Sequence, residues 1–249
     1  MFELDFISEE NFEHHVAQTI RSYNSTLGTI NLQSFNSNVI DPIKLLFDKS
    51  VYRKGFEEIV ELEIYRQRDK SNTNAIGYFH QNIFKYIANC EVPPHGWDVI
   101  FTKPNNQKVY VEMKNKHNTM NSSSSQKTYI QMQNQIMQTP NDKCYLVEAI
   151  APISRDIIWG CSVNGRRVED SRIRRVSMDK FYGIVTGSST AFYRMCLQLP
   201  KTIEKLISMN AVITAKEDTV LFELREQNPD TLKALYLLAF KTYEGFNQI

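Results

Sequence analysis

Between residues 97 and 115 the chain changes period, and no other feature constrains its fold as much. Ahead of that point apolar residues recur at helical spacing. Phe56, Ile59, Val60, Leu62, Ile64 and Tyr65 do so over 55–68, and Ile76, Phe79, Ile83, Phe84 and Ile87 over 75–88. Ser71-Asn72-Thr73-Asn74 interrupts the two runs and offers a cap for the second, while Pro93-Pro94-His95-Gly96 closes the helical part. The spacing then predicts a strand over 97–102, a turn at Pro104-Asn105-Asn106 and a second strand over 108–115. On the second strand Val109, Val111 and Met113 face one way, and Tyr110, Glu112 and Lys114 the other.

The flanks complete an α+β plan of α/β/α type. Ser8 ahead of Glu9 and Glu10, and Asp41-Pro42, are helix starts. The polar stretch 118–125, with four consecutive serines, reads as a loop before a glutamine-rich helix over 126–138. Strands are expected over 144–149, apolar enough to be central, and 157–163, with a basic loop at 166–175. Helices follow at 189–198, 200–209 and 231–243, with a strand near 220–224. No repeat or long linker divides the chain, so 1–249 reads as one domain: a helical lead-in (1–70), a core with a mixed central sheet flanked by helices (71–199), and a tail of helices and a strand (200–249).

Composition removes several classes. No apolar run approaches the roughly 20 residues of a membrane span, and the acidic start Met1-Phe2-Glu3-Leu4-Asp5 lacks the order of a signal peptide. Cys90, Cys144, Cys161 and Cys196 are too far apart for a zinc or disulfide framework, which points to reduced thiols in a cytoplasm. With 29 Lys and Arg against 28 Asp and Glu, any nucleic-acid surface must be a local patch.

The chemistry concentrates on the hairpin. Glu112 and Lys114 project to one face, and an adjacent strand can bring Asp98 beside them. Two neighbouring carboxylates call for a cation between them, and Mg²⁺ with oxygen ligands, including the Met113 carbonyl, meets that need. Such a metal makes water a nucleophile and stabilises a leaving oxygen, while the lysine orients water or meets charge on a phosphate. That is equipment for phosphodiester hydrolysis. The bland alternative is an exposed cross-strand face.

The strings Gly96-Trp97-Asp98-Val99 and Val111-Glu112-Met113-Lys114-Asn115-Lys116-His117-Asn118-Thr119 resemble the active-site hairpin of the PD-(D/E)XK nucleases. Together with Asp179-Lys180-Phe181-Tyr182-Gly183-Ile184-Val185-Thr186-Gly187, they are similar to a group of type II restriction endonucleases associated with GGNCC-type sites. The resemblance covers roughly 75–199 and implies a restriction-endonuclease-like fold. It implies Mg²⁺-dependent cleavage of double-stranded DNA at a short specific site, with Asp98 and Glu112 as metal ligands and Lys114 as the catalytic lysine. It also implies a prokaryotic cytoplasm, a homodimer on a symmetric site and a cognate DNA methyltransferase. The chain departs from the pattern twice. No proline directly precedes Asp98, and the 75–88 helix carries no acid. His80 or Gln81, or Glu58, Glu61 or Glu63 from the earlier helix, are the candidates for a fourth active-site position.

For DNA contact the resemblance points to Lys116, His117 and Asn118, directly after the motif. Gln131, Gln135 and Gln138 share one helical face, and glutamine pairs with adenine. Arg166, Arg167, Arg172, Arg174, Arg175 and Lys180 put six cations in 15 residues, a patch suited to phosphates and to guanine. A polar surface helix and a salt-bridged loop are the plain readings of the same residues. Two other functions compete: a structure-directed nuclease without base specificity, and a nucleic-acid-binding module that cuts nothing.

Overall fold

The alternating segment becomes the hairpin of a six-stranded sheet. The computed structural model describes residues 2–209, 215–243 and 246. In chain order they form α1 (Glu9–Ser25), α2 (Leu32–Asn36), α3 (Pro42–Tyr52), α4 (Phe56–Asn82), a 3₁₀ turn (Ile83–Tyr86), β1 (Cys90–Glu91), β2 (Val99–Thr102), β3 (Lys108–Lys116) and α5 (Ser122–Gln138). Then come β4 (Lys143–Ile150), β5 (Asp156–Ile158), β6 (Cys161–Val163), β7 (Arg166–Val168), β8 (Ile173–Ser177), α6 (Met178–Thr186), α7 (Ala191–Ser208), α8 (Val220–Gln227) and α9 (Thr231–Phe240). The chain packs as two compact units, Met1–Ile20 with Ala75–Ala211, and Arg21–Asn74 with Val212–Ile249.

The first unit holds the sheet, ordered β1-β2-β3-β4-β8-β5. The β2–β3 pair is antiparallel, β3–β4 and β4–β8 are parallel, and β5 closes the edge antiparallel to β8. One face buries Val99, Val109, Val111, Tyr145, Val147 and Val176 against Phe12 and Val16 of α1, Ile83 and Phe84 of the 3₁₀ turn, Phe181 and Tyr182 of α6, and Met195 of α7. The other buries Cys144, Leu146 and Ile173 against Tyr129, Met132 and Ile136 of α5. Helices on both faces of a mixed sheet make the α/β/α sandwich expected of a restriction-endonuclease-like chain. Among the described residues no helix is long and apolar enough to cross a membrane.

The second unit is helical. Leu32, Phe35, Leu45, Ile59, Val60 and Ile64 share one core with Val220, Leu224, Ala234 and Leu235. Arg68 ties its two stretches of chain together, donating to Asp218 at 2.7 and 3.0 Å and to the carbonyls of Thr26 and Gly28. Parts of the lead-in and of the tail, which stand at opposite ends of the sequence, therefore build one core.

Several boundaries differ from the sequence reading. Helix α4 runs unbroken through 71–74, because the expected cap residues have other partners. Ser71 Oγ donates back to the Gln67 carbonyl (3.2 Å), and the Asn72 side chain accepts from Thr26 Oγ1 (3.3 Å). The expected strand near 220–224 is helix α8. Its Val220 and Leu224 are buried at i and i+4, while Phe222 between them is 64% exposed, which is helical and not strand alternation. Helix α7 continues through Pro200, which lies on its exposed side. The four serines form the first turn of α5, capped by Asn121 accepting from the Ser124 amide (2.8 Å). The 157–163 strand is two short ones, β5 and β6. The basic loop holds β7 and β8, with Asn164-Gly165 turning β6 into β7 at positive φ of 50° and 79°. The helix starts are as expected: Ser8 accepts from the Asn11 amide (3.2 Å), and Asp41 from those of Ile43 and Lys44 (3.0 and 3.1 Å).

Gly77 lies where α4 passes the end of β3. A Cβ there would stand 3.6 Å from the Asn115 side chain, an ordinary contact. Gly77→Ala is therefore expected to raise stability by about 0.5–1 kcal/mol through helix propensity. Urea melts check this, and a loss instead would mean that Asn115 cannot yield.

Candidate active site

Strand geometry brings the motif residues together. Asp98 stands one residue before β2, and its amide donates to the Val111 carbonyl at 3.0 Å. Its carboxylate Oδ2 then accepts from the Met113 amide at 2.7 Å, extending the hairpin ladder with a side chain where the strand's own backbone has turned away. N–H and C=O of one strand residue point to the same edge, so the Met113 carbonyl faces the edge where Asp98 lies. On the α5 face of β3, Lys114 Nζ donates to Glu112 Oε1 at 2.7 Å, with the side chains 31% and 19% exposed.

The electrostatics suit a cation. Burial pushes the Asp98 pKa up; the Met113 amide works against this, the Glu112 charge adds to it and Lys114 opposes it. Two half-buried acids thus repel each other, and among the described residues Lys114 is the only ammonium that pairs with either. Asp98 Oδ1 and Glu112 Oε2 make no hydrogen bond to a described residue. These oxygens and the Met113 carbonyl are hard donors that fit Mg²⁺, which keeps several waters and takes one or two carboxylates from a protein. Among the described residues no group of three or more His, Cys, Asp or Glu stands ready to hold a metal. Any metal held here would draw on two carboxylates and a carbonyl from the protein.

Of the candidates for a fourth position, Gln81 reaches the hairpin, its Nε2 donating to the Asp98 carbonyl at 3.3 Å. The His80 ring stands edge-on to Phe79, and burial lowers its pKa to about 4. Glu58, Glu61 and Glu63 belong to the helical unit, where Glu58 pairs with Lys54 (2.8 Å) and Glu63 with Arg66 (2.7 Å).

Lys116, His117 and Asn118 are exposed at the end of β3, as is Gln131 on α5. Gln135 faces inward, where its Oε1 accepts from Trp97 Nε1 (3.3 Å) and so braces the residue before Asp98. The arginines are mostly engaged. Arg172 pairs with Asp170 (2.8 Å), Arg174 with Asp156 (2.5 Å), Arg175 with Glu148, and Arg167 more loosely with Glu169 (3.7 Å). Arg166 is exposed and carries no ion pair to a described residue. The sequence reading passed over Glu148, whose signal was a lone acid in the apolar run of β4.

The class to which this fold and hairpin belong is that of the type II restriction endonucleases, site-specific deoxyribonucleases. The model of the Eco47II restriction endonuclease family matches residues 4–208, and the chain belongs to that family. It is 28% identical over 232 residues to the type II restriction enzyme Sau96I of Staphylococcus aureus, covering 90% of this chain and 88% of the relative. It is 26% identical over 214 residues to the type II restriction enzyme Eco47II of Escherichia coli, covering 82% of this chain and 88% of the relative.

Proposed function

We propose that the chain cleaves double-stranded DNA at a short symmetric site of GGNCC type, using Mg²⁺, with Asp98, Glu112 and Lys114 as its active site. The observation that carries this reading is the paired geometry on one hairpin: Asp98 Oδ2 2.7 Å from the Met113 amide, and Lys114 Nζ 2.7 Å from Glu112 Oε1. Asp98, Glu112 and the Met113 carbonyl would hold the metal. When bound, it supplies Lewis acidity at the phosphate and makes water nucleophilic at neutral pH.

The chain's own residues do the rest. The Met113 amide fixes the Asp98 carboxylate on the hairpin edge. Glu112 holds the Lys114 ammonium by one N–H, leaving two others for an oxygen of the scissile phosphate, where negative charge builds during in-line attack by water. Gln81 braces the backbone at Asp98. Lys116, His117, Asn118, Gln131 and Arg166 are exposed and meet the flanking phosphates and bases. Hydrolysis leaves 5′-phosphate and 3′-hydroxyl ends. A symmetric site requires two such centres, so the working assembly is a C2 homodimer. A DNA methyltransferase that protects the same site is its genetic companion.

A digest of unmethylated phage DNA tests the reading. Discrete fragments are expected with Mg²⁺ and none in EDTA, with sequenced ends that converge on GGNCC. A smear would favour a nuclease without base specificity, ends at another string would remove the GGNCC assignment, and cutting in EDTA would remove the metal. Sedimentation of the protein on a duplex carrying the mapped site reports the dimer.

A further inference from the structure

Glu148, at the C-terminal end of β4, is the most buried carboxylate among the described residues, with 1% of its surface exposed. Its neighbours across the parallel strands are Lys114 on β3 and Ser177 on β8. Two arginines converge on it. Arg155 Nη2 donates to Oε2 at 2.5 Å, and Arg175 donates to Oε1 from Nε at 2.7 Å and from Nη2. Arg175 Nη2 also donates to the His117 carbonyl at 2.9 Å, and the His117 amide donates to the Ile150 carbonyl at 3.1 Å. Arg155 is itself clamped to β8, its amide donating to Ser177 Oγ and its carbonyl accepting from the Ser177 amide, both at 2.9 Å.

Stability does not explain this cluster, because a buried ion group can often be replaced by apolar residues of similar volume without loss. What an apolar replacement could not do is grip a backbone carbonyl three residues beyond Lys114. The guanidinium fork is suited to this, presenting several donors in a fixed plane to the carboxylate and the carbonyl at once.

We propose that Glu148 and Arg175 are positioning residues for DNA cleavage: Glu148 fixes Arg175, and Arg175 fixes the segment Lys116–Asn118 relative to Lys114. The proposal rests on the active-site reading above. It gives Arg175 an internal role in place of the direct DNA contact expected from the sequence.

The test uses the full-length protein and a duplex carrying the site mapped from the wild-type digest. It measures single-turnover cleavage at saturating protein, Kd in EDTA, and Tm, for R175K, the charge-neutral E148Q/R175M and K114A. R175K keeps the charge on Glu148 but loses the second donor to His117. It is expected to retain Tm and to bind within about threefold of wild type, yet to cleave at least about tenfold more slowly. E148Q/R175M is expected to do the same. Cleavage within about twofold of wild type by either variant would overturn the proposal. So would a defect confined to Kd, which would mean direct DNA contact, or loss of the fold in both, which would mean a structural role alone. K114A separates this from the active-site reading. If K114A still cuts, that reading falls; if K114A is inactive while R175K cuts at the wild-type rate, only the positioning role falls.

Discussion

Lys114→Ala and Asp98→Asn are each expected to reduce cleavage by about 10²–10³-fold, the loss that follows when one preorganised charge is removed from a site where charge builds in the transition state. The two variants should part company in binding. In D98N the carboxamide oxygen can still accept from the Met113 amide, so the hairpin keeps its shape. In EDTA the wild type confronts the phosphate with two carboxylates and one ammonium. D98N removes one of the negative charges and should bind duplex DNA as tightly as wild type or tighter. K114A removes the positive charge and leaves Glu112 without its partner, so it should bind more weakly, with a lower salt dependence. Cleavage time courses and binding isotherms in EDTA, at two salt concentrations, read both effects. Wild-type cleavage by either variant would return Asp98, Glu112 and Lys114 to an exposed sheet face. Equal affinities for both would mean that the scissile phosphate does not approach this hairpin.

The hairpin was legible because its information is local. Alternation over 108–115 assigns faces, and the turn at 104–106 sets the register that puts Val99 opposite Val111 and so Asp98 level with Glu112, its carboxylate within reach of the Met113 amide. The two faces of the sheet were legible in the same way, from Val109 and Val111 against Tyr110. What escaped depends on partners distant in sequence. Ser71 and Asn72 have the chemistry of a helix break, and only the Gln67 carbonyl and Thr26 reveal that their polar groups are already satisfied within α4. The apolar spacing at Val220 and Leu224 fits a strand or a helix, and the core they share with Phe35 and Ile59 decides for helix. The partners of the arginine cluster escaped for a related reason. Its density was visible, but the carboxylates that engage it, Glu148 and Asp156 among them, lie on other strands. Local pattern reports which face is apolar; it does not report which distant group will neutralise a charge.

The second large effect is on stability in acid. His15 is 2% exposed and its Nε2–H donates to the Phe79 carbonyl at 3.0 Å, which leaves Nδ1 as the bare nitrogen of a neutral ring, buried without a partner among the described residues. Protonating Nδ1 would bury a charge. Burial lowers the His15 pKa from its ordinary 6.5 to about 4; the bond to Phe79 works against this, and the charges of His80, Lys85 and His14 add to it. Because the unfolded chain takes up the proton first, stability is full above pH 6.5 and falls as the pH drops toward 4. A lowering of that size corresponds to about 3 kcal/mol, of which about 2.5 kcal/mol is lost by about pH 4.5. His80, lowered to about 4 by its own burial, steepens the same fall. Both tryptophans, Trp97 and Trp159, lie in the sheet unit with His15, so their fluorescence follows the unit concerned even if the helical unit melts separately. Urea titrations of wild type and His15→Gln at pH 7 and about pH 4.5 isolate the effect from carboxylates that titrate in the same range. Glutamine keeps a donor for Phe79 and has no proton to gain, so the drop in stability between the two pH values should shrink by about 2.5 kcal/mol. An unchanged drop would mean that His15 takes up its proton without unfolding the sheet unit, and that its ring reaches water in the native state.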